Sequence, residues 1–285
     1  MMRDVIIILI SGIFATACSV QPSLDIKPYE PKLVVDGSIE QNDYPRVTLT
    51  YSDSYFVDID STSIRQLIAT TAKVTVSDGT QEEVLTLKKS KDAFPPYYYA
   101  GNSLKGEVGK TYNLTVELRG ETYTAHTTIP PLVNFDSLWY QLASDKDSLG
   151  YIYGRFTDDP NVANYYRVFT KRKSKDTKYY PVYLSAVGDQ FFNGKSFTFS
   201  ILKGPDDFSN VIDDLYFKVG DTVDVKLCTI DKAHFDFWRT VERELYVVGN
   251  PFSSSGNDII SNIDGHKALG VWGGYGATYT RIVAK

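Results

Sequence analysis

The side chains able to do chemistry are few and widely spaced. The chain carries three histidines, His126, His234 and His266, and two cysteines, Cys18 and Cys228. None falls in an HExxH, HxH or CxxC pattern, the spacings that bring two ligands onto one metal, so no zinc site is expected. No GxSxG elbow presents a serine to a base. The glycines from Gly270 to Gly276 lack the strand–GxGxxG–helix context that a dinucleotide needs. The acidic pairs Asp158-Asp159, Asp206-Asp207 and Asp213-Asp214 offer hard oxygen ligands of the kind calcium takes. Asp58-x-Asp60 opens like an EF-hand loop, but Ser63 stands at its sixth position and Ala69 at its twelfth. These acids read as solvated loop residues, and no metal or cofactor is expected. Two carboxylates held about 5–10 Å apart would serve glycoside hydrolysis, which keeps a carboxylate- or calcium-dependent hydrolase as an alternative reading.

Aromatic side chains are the other chemical resource. The chain has 21 Tyr, 15 Phe and 3 Trp, 14% of its residues. Tyr97-Tyr98-Tyr99 follows Pro95-Pro96, while Trp272 and Tyr275 flank Gly273-Gly274. On a loop such rings stack on sugars, peptides or flat ligands at low entropic cost. Trp272 and Tyr275 are therefore the candidate contacts to a small-molecule, glycan or peptide ligand, or to a partner. The competing expectation is that Trp272 is core and the glycines turn the chain. His126, between Thr124 and Thr128, is expected on the polar face of a strand. Cys228, inside Thr222-Val223-Asp224-Val225-Lys226-Leu227-Cys228, is expected to be a buried and inert thiol.

The N-terminus has the order of a secretory leader. Arg3 precedes an apolar run from Val5 to Ile10, with Ile13 and Phe14 beyond it, too short to span a bilayer. Ala15-Thr16-Ala17 then leads into Cys18, which resembles the lipobox of bacterial lipoproteins. Residues 1–17 are expected to be a signal peptide and Cys18 the lipidated mature N-terminus, holding the protein to a membrane. Lipidation of Cys18 leaves Cys228 without an intramolecular partner, so no disulfide is expected. Residues 18–31, with Pro22, Pro28 and Pro31, have the composition of an extended tether.

The elements that must position these groups have period two. The net charge of −5 argues against nucleic acid. Val47, Leu49 and Tyr51 alternate with polar residues, as do Val74 and Val76 before Asp78-Gly79. Tyr112, Leu114, Val116 and Leu118 lead to Arg119-Gly120, with Tyr123, Ala125 and Ile129 returning. This spacing predicts an all-β protein whose residues 32–130 form an immunoglobulin-like β-sandwich. A boundary is expected at Pro130-Pro131. Residues 131–285 are expected to form a second sandwich or barrel-like domain with one helix near 232–247. Asp231 would cap that helix, and Phe235, Trp238, Val241 and Leu245 would line its buried side.

Several blocks together resemble a known family. They are the lipobox, Leu33-Val34-Val35-Asp36-Gly37-Ser38-Ile39, Thr127-Thr128-Ile129-Pro130, Phe156-Thr157-Asp158-Asp159-Pro160, Tyr165-Tyr166-Arg167, Asp221-Thr222-Val223, Asn250-Pro251-Phe252, and Ser261-Asn262-Ile263 leading to Gly270-Val271-Trp272-Gly273-Gly274-Tyr275. In order and spacing these are similar to the Bacteroidota lipoproteins grouped as domain of unknown function 4249. The resemblance implies an outer-membrane lipoprotein, often encoded beside a TonB-dependent transporter, with no catalytic residues to carry over. The leading expectation is a non-catalytic binding or accessory module for such a transporter in nutrient uptake. A structural or adhesive envelope protein is the remaining alternative.

Overall fold

Alternating burial along the strands sets the architecture. In β1 (Leu33–Glu40), Leu33, Val35, Gly37 and Ile39 are buried while the residues between them are half-buried or exposed. The computed structural model describes residues 30–52, 66–91, 94–144, 146–204, 215–247 and 259–285. Expectations for the leader, the tether, Cys18, Asp58, Asp60, Asp206-Asp207 and Asp213-Asp214 lie outside these residues. The next strands are β2 (Arg46–Tyr51), β3 (Lys73–Ser77), β4 (Glu82–Val84), β5 (Thr86–Lys89), β6 (Tyr97–Ala100), β7 (Thr111–Leu118) and β8 (Glu121–Thr128). After them come β9 (Ser137–Leu142), β10 (Leu149–Thr157), β11 (Tyr165–Arg172), β12 (Tyr180–Gly188), β13 (Ser196–Ile201), β14 (Phe217–Lys218) and β15 (Thr222–Ile230). Helix α1 (Lys232–Val247) and the 16-residue β16 (Ala268–Val283) complete the fold.

The expected all-β class is what the chain adopts. One sheet has eight strands in the order β12-β11-β15-β16-β1-β2-β6-β5, and two sheets have four strands each. Turn chemistry fixes the hairpins. Arg119 and Gly120 both take positive φ, 53° and 85°, the two left-handed positions that match the twist of flanking strands. Gly79 takes φ 86°, and the Asp78 carboxylate accepts from the Thr80 and Gln81 amides at 2.9 and 2.8 Å.

Both four-stranded sheets pack on one face of the long sheet. Val74, Val76, Tyr112, Leu114 and Val116 meet Val35, Ile39, Leu49 and Trp272 in a first core. Ile152, Phe156, Ile201 and Phe217 meet Val168, Val223, Val225 and Leu227 in a second. The second half is thus a pair of facing sheets, with no closed barrel among the described strands. The chain passes from one core to the other near Pro130-Pro131, where its backbone lies directly on β16. A Cβ on Gly274 would stand 2.9 Å from the Thr128 carbonyl oxygen, and one on Gly276 would stand 2.4 Å from that of Pro130.

The segments 32–130 and 131–285 are not separable in the sheet. β16 pairs in parallel with β1 from Ala268 to Tyr275, then antiparallel with β15 from Gly276 to Val283. Residues Pro31–Lys285 accordingly form one compact unit. Among the described residues the first half of β16 has no strand on its other edge, and two side chains stand in for one. Asn262 accepts from the Trp272 amide at 2.9 Å and donates to its carbonyl at 2.8 Å. Ser261 donates to the Gly270 carbonyl at 2.9 Å. This satisfies backbone groups that burial would otherwise orphan.

Trp272 belongs to the first core, which corrects its expected role as a ligand or partner contact. It is 0% exposed, and its indole nitrogen donates to the Tyr112 carbonyl at 2.9 Å. A Cβ on Gly37 would come within 2.9 Å of its ring, so the glycine opposite it makes room for it. Trp272→Ala should therefore cost about 3–5 kcal/mol of folding stability. Denaturant unfolding against wild type measures this, and an unchanged midpoint would contradict the packing described.

Candidate functional site

Period two sends the other side chains of the long sheet to its second face. Arg167 and Phe169 of β11, Lys226 and Cys228 of β15, Tyr275 and Tyr279 of β16, and Asp36 and Glu40 of β1 all fall there by register. Helix α1 lies over part of this face. Its N-terminus is capped as expected, the Asp231 carboxylate accepting from the His234 amide at 2.9 Å. The same carboxylate accepts from the Thr128 amide at 3.2 Å and from the Thr127 hydroxyl, which pins the helix start to β8. The buried side of α1 is His234, Phe237, Thr240 and Glu242, whereas Leu245, expected inward, is 42% exposed. Phe235 and Trp238, also expected inward, do pack on the sheet, against Tyr165 and Arg167.

Arg167 is the centre of the polar groups that α1 covers. It is only 3% exposed. Its Nε donates to the Ser185 hydroxyl at 3.0 Å and its Nη1 to the Tyr275 hydroxyl at 2.8 Å. The Trp238 ring lies 3.5 Å from its guanidinium carbon and the Phe169 ring 4.7 Å. Stacking of this kind stabilises a desolvated cation that water no longer reaches. No carboxylate lies within ion-pair distance of Arg167 among the described residues. Its charge is answered at one remove by Glu242 of α1. That carboxylate accepts from the Ser185 hydroxyl, from the Ser185 amide at 3.2 Å and from the Ala186 amide at 3.3 Å. A β-bulge arranges this relay, since the β11–β12 register shifts between Arg167 and Phe169, and Leu184 takes φ 54°.

Burial holds two of the neighbouring groups neutral near pH 7. Burial pushes the Cys228 thiol up to about 12, so it is neutral and inert, as its strand context suggested. Burial pushes His234 down to about 3, with the positive Arg167 adding to the effect. The imidazole packs flat on the sheet: a Cβ on Gly273 would meet it at 2.2 Å, and its ring lies 4.6 Å from that of Tyr275. Glycine at 273 thus makes a close approach possible. Asp36, in the middle of β1, retains solvent exposure, yet desolvation by the protein around it raises its carboxyl above the ordinary range, against the opposing fields of Arg167, Arg46 and Lys178. Beside it, Glu40 accepts from both Lys226 and Tyr279.

Of the two aromatic candidates, Tyr275 alone joins this site. Three positions apart in a strand means opposite faces, so Trp272 and Tyr275 could not act together. His126 and His266 are exposed, while His234 is buried at the site. Asp158, expected as a solvated acid, is instead buried and accepts from Tyr166 and, at 2.8 Å, from the Gly194 amide. Among the described residues no three metal-ligating side chains cluster. Sequence reasoning missed Arg167, Asp36, Ser185 and Glu242. The available signal was Arg167 itself, a charge at a position where Tyr165-Tyr166-Arg167-Val168-Phe169 is otherwise apolar.

The fold and site define an all-β protein with a buried polar cluster on the helix-covered face of its longest sheet. The family described as domain of unknown function (DUF4249) matches residues 21–281, and the chain belongs to that family. No curated protein matches it. Among the described residues no helix is long and apolar enough to cross a membrane.

The buried imidazole gives the site a pH signature. His234 is neutral when folded and titrates near 6.5 when unfolded, so between about pH 6.5 and 3 the unfolded chain binds the extra proton. Stability from this group is complete above the unfolded pKa and is lost as pH falls. Lowering the pH from 7 to 5 should remove about 2 kcal/mol through His234. The gap between wild type and His234→Gln, measured by denaturant unfolding, should narrow by that amount. A gap independent of pH would show the histidine is not held neutral.

Proposed function

We propose that this protein is a lipid-anchored, non-catalytic binding module of the bacterial outer membrane that serves a TonB-dependent transporter in nutrient uptake. The observation that carries the binding part is the state of the groups around Arg167. The guanidinium is clamped by Ser185, Tyr275, Trp238 and Phe169. Its titratable neighbours Cys228 and His234 are pushed by burial away from reactivity near neutral pH. Such a cluster recognises a ligand and leaves it unchanged, because a nucleophile or base must have a pKa near its working pH. The anchor is supported by the apolar run and Ala15-Thr16-Ala17-Cys18 at the N-terminus. The transporter is supported by the resemblance described above, together with a tether of proline-rich composition that keeps the body near the membrane and raises its effective concentration there.

Two measurements test this reading. Cys18→Ser should release the protein from membranes or leave its precursor unprocessed. A processed Cys18→Ser protein that still needs detergent would overturn the anchor. Affinity isolation of the wild-type protein from native outer membranes should recover a β-barrel transporter in near-equal amount, and repeated recovery of none would overturn the partner.

A further inference from the structure

Near its β5 end the long sheet forks. Strand β6 pairs with β2 only where Arg46 lies opposite Ala100 and Val47 opposite Tyr99. Beyond Val47, residues 67–69 take the place of β6 beside β2. The Tyr51 amide donates to the Leu67 carbonyl at 2.7 Å, and the Ala69 amide donates to that of Leu49 at 3.0 Å. Tyr99 fixes the fork: its ring is buried in the first core, and its hydroxyl accepts from the Ala72 amide at 3.0 Å and donates to the Ala69 carbonyl at 3.4 Å. A cavity of about 580 Å³ opens between the two branches. Among the described residues it is lined by Ile68 and Thr70 on one side and by Leu87, Lys89, Pro96 and Tyr97 of the β5–β6 hairpin on the other. Register places Leu87 opposite Tyr99 and Lys89 opposite Tyr97. Of the run Tyr97-Tyr98-Tyr99, Tyr99 therefore goes to the core and Tyr97 to the cavity. The Lys89 ammonium lies over the Tyr97 ring, 5.5 Å from its centre. No carboxylate lies within ion-pair distance of Lys89 among the described residues, and none of them lines the cavity with a negative charge.

We infer that this cavity binds a small carboxylic acid with an apolar body, the body against Ile68, Leu87, Pro96 and Tyr97 and the carboxylate on Lys89. The inference extends the binding reading above to a second place on the chain, and it rests on the cavity rather than on the groups around Arg167. A volume of this size suits a small molecule. The described lining is apolar apart from one ammonium and one hydroxyl, so it favours an apolar body carrying a single negative charge. A cationic ligand would meet Lys89 with like charge. A dianion would find one cation where it needs two. A sugar would find one ring, with an ammonium over its face, and otherwise aliphatic walls that leave its hydroxyls unmatched.

Titration calorimetry on the full-length protein in detergent tests this, with the same titrations into detergent alone subtracted. The probes are phenylpropanoate, hexanoate, acetate and phenylpropanamide. Phenylpropanoate and hexanoate share the charge and differ in the body, so the tighter of them identifies an aromatic or an aliphatic acid. Acetate, which has the charge alone, should bind at least about tenfold more weakly than phenylpropanoate. The amide, which has the body alone, should bind about three- to tenfold more weakly. Lys89→Met should weaken phenylpropanoate by the same factor and leave the amide unchanged, whereas Lys89→Arg should keep the affinity for the acid. Lys89 is exposed, so neither change threatens the fold. Equal binding of acid and amide, a Lys89→Met protein that binds the acid like wild type, or no heat from any probe at millimolar concentration would overturn the inference. Recovery of the transporter is read separately, so a failed ligand and a failed binding module are distinguishable.

Discussion

The parallel pairing of β1 with β16 is the constraint on which the rest depends. It joins the first and last strands of the described fold, so neither core is complete until the whole chain has been gathered. Contacts so distant in sequence must overcome loop-closure entropy before they contribute, which makes this a slow step in assembly. The glycines of β16 make the pairing possible in crowded surroundings. Gly274 and Gly276 let the chain between the cores pass on one face, while Gly273 lets the His234 ring lie on the other. The segment that looked like a display of aromatic residues is the seam of the molecule. Its glycines serve close approach on both sides rather than exposure.

That seam also explains why a buried cation persists at Arg167. A guanidinium removed from water is costly unless stacking and hydrogen bonds replace its hydration. β16 supplies Tyr275, β12 supplies Ser185 through a bulge, and α1 supplies Trp238 and Glu242. The two groups from α1 are placed by the cap that Asp231 makes at the helix start and by the anchor it finds on Thr127 and Thr128. An arrangement drawn from so many elements is poorly explained by stability alone, since an apolar replacement of similar volume is often neutral or better. Within it, His234 Nδ1 and Trp238 Nε1 are buried with no partner among the described residues, which fits recognition.

What the sequence made legible was local. The hairpin at Arg119-Gly120, the turn at Asp78-Gly79, the cap at Asp231 and the span of the helix follow from turn chemistry and period, and the chain adopts each. The inward set of the helix was half legible: Phe235 and Trp238 of the expected stripe pack on the sheet, but Leu245 is exposed and the chain buries His234 and Glu242 as well. Polar burial of this kind leaves no periodic signal. The pairing of chain ends was equally hidden, since parallel strands carry no connecting turn to announce them. Trp272 and Tyr275 could have been separated in advance: once Ala268–Val283 is read as a strand, residues three apart must face opposite sides.

Side chains reinforce the seam on its helix-covered face. Lys226 of β15 reaches across β16 to Glu40 at the end of β1, and Tyr279 of β16 itself donates to the same carboxylate. Both charges of this pair are largely withdrawn from water, with side-chain exposures of 12% and 16%. Removing one partner of such a pair leaves the other charge desolvated and uncompensated, which costs far more than losing an exposed ion pair. The pair therefore ties the strand that begins the fold to two strands near its end, and the joint between the two cores rests on Glu40 as well as on the backbone ladder of β1 with β16.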